Sequence, residues 1–161
     1  MMNFKHLLIA YALTLPLISW AEPLAVGQAM PPLVAKDQHD QPWGIAADTR
    51  LVLFASGRNA SNIAMEVLGQ QPKGFLATRH AVYLADMSRM PGLITRTFAL
   101  PSLREQPFTV GVVLDEALLS DFPRREDVVT LIGLENNRIV AVNYAATAET
   151  LREALGLTQK E

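Results

Sequence analysis

The sequence predicts an α/β domain with a mixed central sheet, helices on both faces and an N-terminal β-hairpin. Three short runs, at residues 51–55, 81–85 and 109–114, have the continuous apolar character of buried parallel strands. Helical segments separate these runs, and such alternation requires crossover connections over a largely parallel sheet. No internal repeat and no long Pro/Gly/Ser linker divides the sequence, so one domain over residues 22–161 is expected.

Two hairpins are predicted at the ends of this alternating region. A fourth apolar run, residues 128–134, leads through Asn136 and Asn137 into residues 139–144. Because asparagine tolerates positive φ, the pair suits a tight antiparallel turn. Near the other end, the turn at residues 37–41 predicts the opening hairpin.

Capping residues locate two of the helices. Ser61 or Asn59 is expected to cap a helix that runs to about Leu68. The last helix is expected to begin after an N-cap at Thr147 and to end at Gly156.

A further helix is predicted over residues 93–100, where Ile94 and Phe98 are four positions apart. Proline inside a helix removes a backbone donor, so Pro101 should interrupt it. A short helical turn is expected at residues 116–122.

The first 21 residues have the three parts of a cleavable signal peptide. A short basic start precedes the apolar run 7–18, and Ser19 and Ala21 supply small residues at the positions that the peptidase reads. An uncleaved membrane anchor is the alternative, but the run is shorter than the roughly 20 residues that a spanning helix needs. We therefore expect export to the periplasm, with no membrane attachment after cleavage.

Composition excludes several classes of function. The sequence has no cysteine, so neither a disulfide nor a lipid-modified cysteine is available. The net charge of −2, without a basic stripe, argues against a nucleic-acid partner. No Gly-x-Gly-x-x-Gly motif or P-loop is found, and His39 lies in a polar turn without a second histidine cluster. No cofactor and no metal are expected.

The order and spacing of these segments resemble the thioredoxin-like fold of exported resA/tlpA-type thiol proteins and of peroxiredoxin relatives. The likeness covers about residues 25–155, and the segments that carry it are 26–33, 51–55, 108–115 and 129–132. The loop at residues 55–58, Ala-Ser-Gly-Arg, also resembles the cysteine-less periplasmic ytfJ-type proteins.

The sequence departs from that family at the redox site. The positions of the family's Cys-x-x-Cys pair hold Arg58 and Ser61, and the position of its cis-proline falls near Val128. Disulfide exchange requires a thiolate, which neither arginine nor serine can supply. The resemblance thus implies the fold without the thiol–disulfide activity.

Three polar loops should meet at one edge of the predicted sheet, where open α/β sheets bind ligands. A helix N-terminus there favours an anion, and Arg58 would add a positive charge. The alternative is that the serine and asparagine side chains only cap the helix. The candidate binding residues are Ser56, Gly57, Arg58, Asn59 and Ser61 in the first loop, Asp86 and Arg89 in the second, and Arg124 and Asp127 in the third.

Three functions remain open. The first is an exported adaptor or binding protein whose partner is a periplasmic protein or a small anionic ligand. The second is a structural subunit in envelope assembly. The third is an enzyme with non-thiol chemistry, using Ser56 or Ser61 as nucleophile with Asp86 nearby; such a site needs an activating base, and the sequence offers none by motif.

We predict that the mature protein begins at Glu22, because Ser19 and Ala21 fit the peptidase pocket. The intact mass of the protein from a periplasmic fraction measures this. A dominant species that retains the first 21 residues would contradict the export hypothesis.

Overall fold

The computed structural model describes residues 22–157, so the predicted signal segment lies outside the described residues. Seven strands form one mixed sheet in the order β2-β1-β5-β4-β3-β6-β7. The strands are β1 Val34–Asp37, β2 Pro42–Gly44, β3 Leu51–Ser56, β4 Ala81–Asp86, β5 Val110–Val113, β6 Val129–Glu135 and β7 Arg138–Ala145.

The helices are short, and most lie between the strands. They are α1 Arg58–Leu68, α2 Phe75–Thr78, α3 Gly92–Ile94, α4 Leu100–Arg104 and α5 Ala148–Ala154. A π-helical turn, Thr95–Ala99, joins α3 to α4, and a 3-10 helix, Glu116–Leu119, follows β5. No sequence pattern predicted α2, which is a single turn.

The central strands β3, β4 and β5 are parallel, as their apolar runs predicted. The outer strands β6 and β1 pair antiparallel with β3 and β5 respectively. Side chains alternate between two core layers: Leu53 faces α1, α4 and α5, whereas Phe54 faces the 3-10 helix and the N-terminal segment. Both faces of the sheet are therefore covered.

The turn between β6 and β7 follows its sequence prediction. Asn136 and Asn137 have φ values of 48° and 61°, and Glu135 pairs with Arg138 across the hairpin. These left-handed conformations match a two-residue turn, which asparagine adopts at low cost. The predicted N-cap at Thr147 is also confirmed, because its hydroxyl accepts from the backbone N–H of Thr150 at 3.1 Å.

The predicted caps of α1 were wrong. The N-cap is Gly57, at φ 104°, and no side chain caps the helix. Asn59 and Ser61 lie inside the first turns, and the Ser61 N–H donates to the Gly57 carbonyl at 3.1 Å. The helix begins earlier than expected because glycine adopts this positive φ without the strain that a side chain would bring.

The predicted interruption at Pro101 was also wrong. The helical path continues past Pro101 to Arg104, because the π-helical turn just before it widens the backbone. Ile94 and Phe98, whose spacing indicated the helix, are 42% and 64% exposed. The longer helical segment brings Arg104 beside the opening hairpin.

A buried glutamine holds that hairpin to the sheet. Gln38 is only 2% exposed, and its amide donates to the Phe108 carbonyl at 2.7 Å and accepts from the Val110 N–H at 3.0 Å. The backbone carbonyl of Gln38 accepts a hydrogen bond from Nε of Arg104 at 2.7 Å. One residue thus ties β1 to the start of β5 and to the end of α4.

Replacing Gln38 with methionine should lower the free energy of unfolding by about 2 kcal/mol or more, because it leaves a buried N–H and a carbonyl unpaired. Chemical denaturation measures the change. Gln41→Met, at an exposed position of the same turn, is the matched control and should change stability by less than about 0.5 kcal/mol. Equal losses in both variants would contradict the anchoring role.

The hydroxyl of Tyr83 lies inside the core layer between the sheet and helices α1, α4 and α5. The side chain is fully buried and packs edge-on against Phe108, with 5.8 Å between ring centroids. Its oxygen has no hydrogen-bond partner among the described residues. Burial raises the pKa of Tyr83 to about 12, and the nearby Ser61 hydroxyl, too poorly placed to complete a bond, opposes that shift.

Tyr83→Phe should therefore leave stability at pH 7 unchanged or raise it by up to about 1 kcal/mol. Because the unfolded tyrosine ionises near pH 10, the wild type should lose stability between about pH 10 and 12 faster than the variant does. Denaturation curves across that range measure the difference, with the half-buried Tyr144→Phe as control. A loss above about 1 kcal/mol at pH 7 would show that the Tyr83 hydroxyl is bonded in solution.

Candidate functional site

Three loops leave the sheet at the same edge. Ser56, at the end of β3, is the neighbour of Asp86 at the end of β4. On the other side of β3, Ala55 is paired with Val129, where β6 begins. The ends of β3 and β4 and the start of β6 therefore lie side by side, with β3 in the middle, as the predicted topology implied. This brings together the three loops at residues 56–61, 86–91 and 124–127.

An ion pair occupies the middle of this edge. Asp86 is 4% exposed in its side chain, and its Oδ2 accepts from Nη1 of Arg124 at 3.0 Å. Its Oδ1 accepts from the N–H and the hydroxyl of Ser88, at 3.0 and 2.6 Å. Arg124 also donates to the Leu119 carbonyl and lies 5.5 Å from the ring centroid of Phe54. Both charges are thus committed to contacts within the fold.

Arg89, from the second loop, points to a different partner. Its guanidinium donates to Oε1 of Glu116 at 2.6 and 3.2 Å, and both side chains are more than half exposed. The hydrogen bond and the charge of Glu116 raise the pKa of Arg89, so it stays fully cationic. An exposed pair of this kind contributes little to stability, and a ligand could compete for either partner.

The start of α1 is the open part of the edge. Gly57, Arg58 and Asn59 are exposed, and the first turn of α1 holds no acidic side chain. The first backbone N–H groups of a helix have no partner within it, and they carry the positive end of the helix dipole. With Arg58 beside them, these groups can hold an anion.

The third loop adds an arginine that the sequence analysis did not select. Arg125 stacks on Tyr144 of β7, 3.9 Å from the ring centroid, and Asp127 is exposed with φ 62°. The predicted hairpin brings Tyr144 opposite Thr130 and hence near this loop, but the residue types do not show which of the two adjacent arginines stacks on the ring.

Among the described residues, neither predicted nucleophile is hydrogen-bonded to a base at this edge. Both oxygens of Asp86 already accept hydrogen bonds, and none joins Asp86 to Ser56 or Ser61. His80, with φ 50°, lies before β4 at the opposite end of the strand, where it contacts Asp48 at 3.1 Å. In the part of the chain that the structure describes, no hydrogen bond therefore links Ser56 or Ser61 to an activating base at Asp86.

Residues 22–157 contain no cluster of three side chains able to hold a metal ion. Over the same stretch, none of the helices has the length and apolar character needed to cross a membrane.

Comparison with known proteins supports the fold. No family model matches the sequence, and no curated protein matches it. Among solved structures, the chain is similar to a peroxiredoxin-like protein from Aquifex aeolicus, with a TM-score of 0.53 and 12% identity over 85% of this chain and 87% of that one. It is also similar to a candidate thioredoxin from Neisseria meningitidis, with a TM-score of 0.56 and 14% identity over 79% and 87%.

A thio-disulfide isomerase from Thermus thermophilus gives a TM-score of 0.51 and 16% identity, over 87% of this chain and 96% of that one. At such identities the likeness concerns the fold. This chain has a thioredoxin-like fold, built from a sequence that contains no cysteine.

Proposed function

We propose that this chain is an exported, periplasmic binding protein that uses a thioredoxin-like fold without redox chemistry, in the manner of a resA/tlpA-type or ytfJ-type protein that lacks cysteine. Its ligand is a small anion or an acidic group on a partner protein. The observation that carries the proposal is the uncapped, exposed start of α1, with Arg58 beside it.

The electrostatics of this position support an anion. A helix N-terminus lowers the pKa of a cysteine thiol because it stabilises the thiolate. Here the same backbone groups face no thiol and no acidic side chain from the first turn. The field that would stabilise a thiolate is therefore available to a negative group from outside the chain.

The neighbouring charges make Arg58 the residue to test. Asp86 and Arg124 neutralise each other, and Arg89 is paired with Glu116. No carboxylate of the described residues lies within 4 Å of the Arg58 guanidinium. Arg58 thus supplies a positive charge at the open part of the edge.

In a thermal-shift panel of phosphate, sulfate and carboxylates, at least one anion should stabilise the wild type. A ligand at five times its Kd contributes about 1 kcal/mol, which corresponds to a rise in Tm of about 4 °C. Arg58→Ala should abolish most of that rise while leaving the ligand-free Tm within about 1 °C, because an exposed side chain contributes little to folding.

Arg50→Ala is the matched control. Arg50 is an exposed arginine that directly precedes β3, and therefore lies at the end of this strand opposite to Arg58. The control variant should retain the full anion-dependent rise. If no anion in the panel stabilises the wild type, or if Arg58→Ala is stabilised as strongly as Arg50→Ala, the start of α1 is not an anion site.

A further inference from the structure

A groove lies on the other side of the second loop, away from the start of α1. Its walls are the helical segment from α3 to α4, the turn between β1 and β2, and the chain just after β4 and β5. The cavity measures about 540 Å³, within the range of small-molecule sites. It is independent of the anion site proposed above, because none of residues 56–61 lines it.

The lining of the groove is part apolar and part polar, and the polar part comes from Asp40, Ser88, Thr95, Arg96 and Arg104. The apolar lining residues are Met87 and Met90 from the loop after β4, Leu100 from α4, and Leu114, which directly follows β5. Leu114 is 59% exposed although it directly follows a buried strand. Methionine side chains adapt to ligands of irregular shape.

The apolar part of the lining continues into a second cavity. This cavity of about 260 Å³ shares Leu100 and Leu114 with the groove and extends to Leu118, which is 50% exposed. The exposed lining of this second cavity is mostly apolar, and the charged residues Lys36, Asp37 and Asp115 border it. Because the two cavities share lining residues, a linear hydrocarbon chain can follow both of them, whereas a compact ring cannot.

Two arginines give the groove its charge. Arg104 is fixed, because its Nε donates to the carbonyl of the buried Gln38, and its Nη2 is 3.6 Å from the Asp40 carboxylate. Arg96 lines the same cavity, and no carboxylate of the described residues comes within 4 Å of it. With Asp40, these two arginines leave the lining of the groove with a net charge of +1, whereas Lys36, Asp37 and Asp115 add a net charge of −1 in the second cavity.

We infer that this groove binds a small amphipathic carboxylate, in which a linear apolar chain ends in one carboxylate group. The carboxylate would bond to Arg96 and Arg104, since arginine matches carboxylate geometry. The chain would lie over Met87, Met90 and Leu114. A concave cavity of this size suits a small molecule, whereas a stable protein–protein interface needs about 1,200 Å² or more of buried surface.

Isothermal titration calorimetry with decanoate, below its micelle concentration, tests the proposal. Acetate keeps the carboxylate without the chain, and decyltrimethylammonium keeps the chain with the opposite charge. Decanoate should bind with a 1:1 stoichiometry, and each of the other probes should bind at least about tenfold more weakly, since each lacks one of the two recognised parts.

Two variants locate the site. Arg96→Gln should weaken decanoate binding about tenfold through loss of a charge-assisted hydrogen bond. Leu114→Ser should weaken it to a similar degree, and the exposure of Leu114 should keep the fold intact, which Tm measures. Arg50→Gln, outside the groove, should bind as the wild type does.

The proposal fails if decanoate does not bind the wild type, or if acetate or decyltrimethylammonium binds as tightly. It also fails if Arg96→Gln and Arg50→Gln bind decanoate equally.

Discussion

The partly buried contact between Asp86 and Arg124 connects the second and third loops at the edge where the candidate binding residues lie. Asp86 ends the central strand β4, and its carboxylate holds both the turn to Ser88 and the guanidinium of Arg124. Through Arg124 it also fixes the segment that places Leu119 and Phe122 over the second core layer. Removing one partner would leave the other charge unpaired and largely desolvated. This lowers the free energy of unfolding far more than breaking an exposed ion pair does.

That contact divides the charged side chains of the edge into two groups. Asp86 and Arg124, both expected from the sequence to be candidate binding residues, form hydrogen bonds with each other and with neighbouring residues of the fold. The arginines outside that contact, Arg58 at the start of α1 and Arg96 on the π-helical turn, face the surface on either side of the second loop. The second loop thus lies between the two binding surfaces proposed above, each with an accessible cation.

Local patterns predicted the strands well, because a continuous apolar run and an Asn-Asn turn act over a few residues. The N-cap at Thr147 follows the same logic. Two predictions about helices were wrong because they depend on backbone conformation. Gly57 begins α1 through its positive φ, and a π-helical turn lets the helical path continue past Pro101. The partnership of Asp86 with Arg124 spans 38 residues, and that of Gln38 with Val110 spans 72. No sequence pattern reveals such pairs.

The pairing of β1 with β5 has a consequence for the order in which the molecule assembles. Bringing Lys36 to Val112 closes a loop that contains β3, α1 and β4, and contacts so distant in sequence form slowly. The hairpin of β1 and β2 is also at the end of the sheet, held by two ladder positions and by Gln38. Such peripheral units open more readily than a central sheet does. Asp40 of this hairpin lines the groove, so local opening of the hairpin would remove one side of the groove, and a ligand held there would oppose the opening.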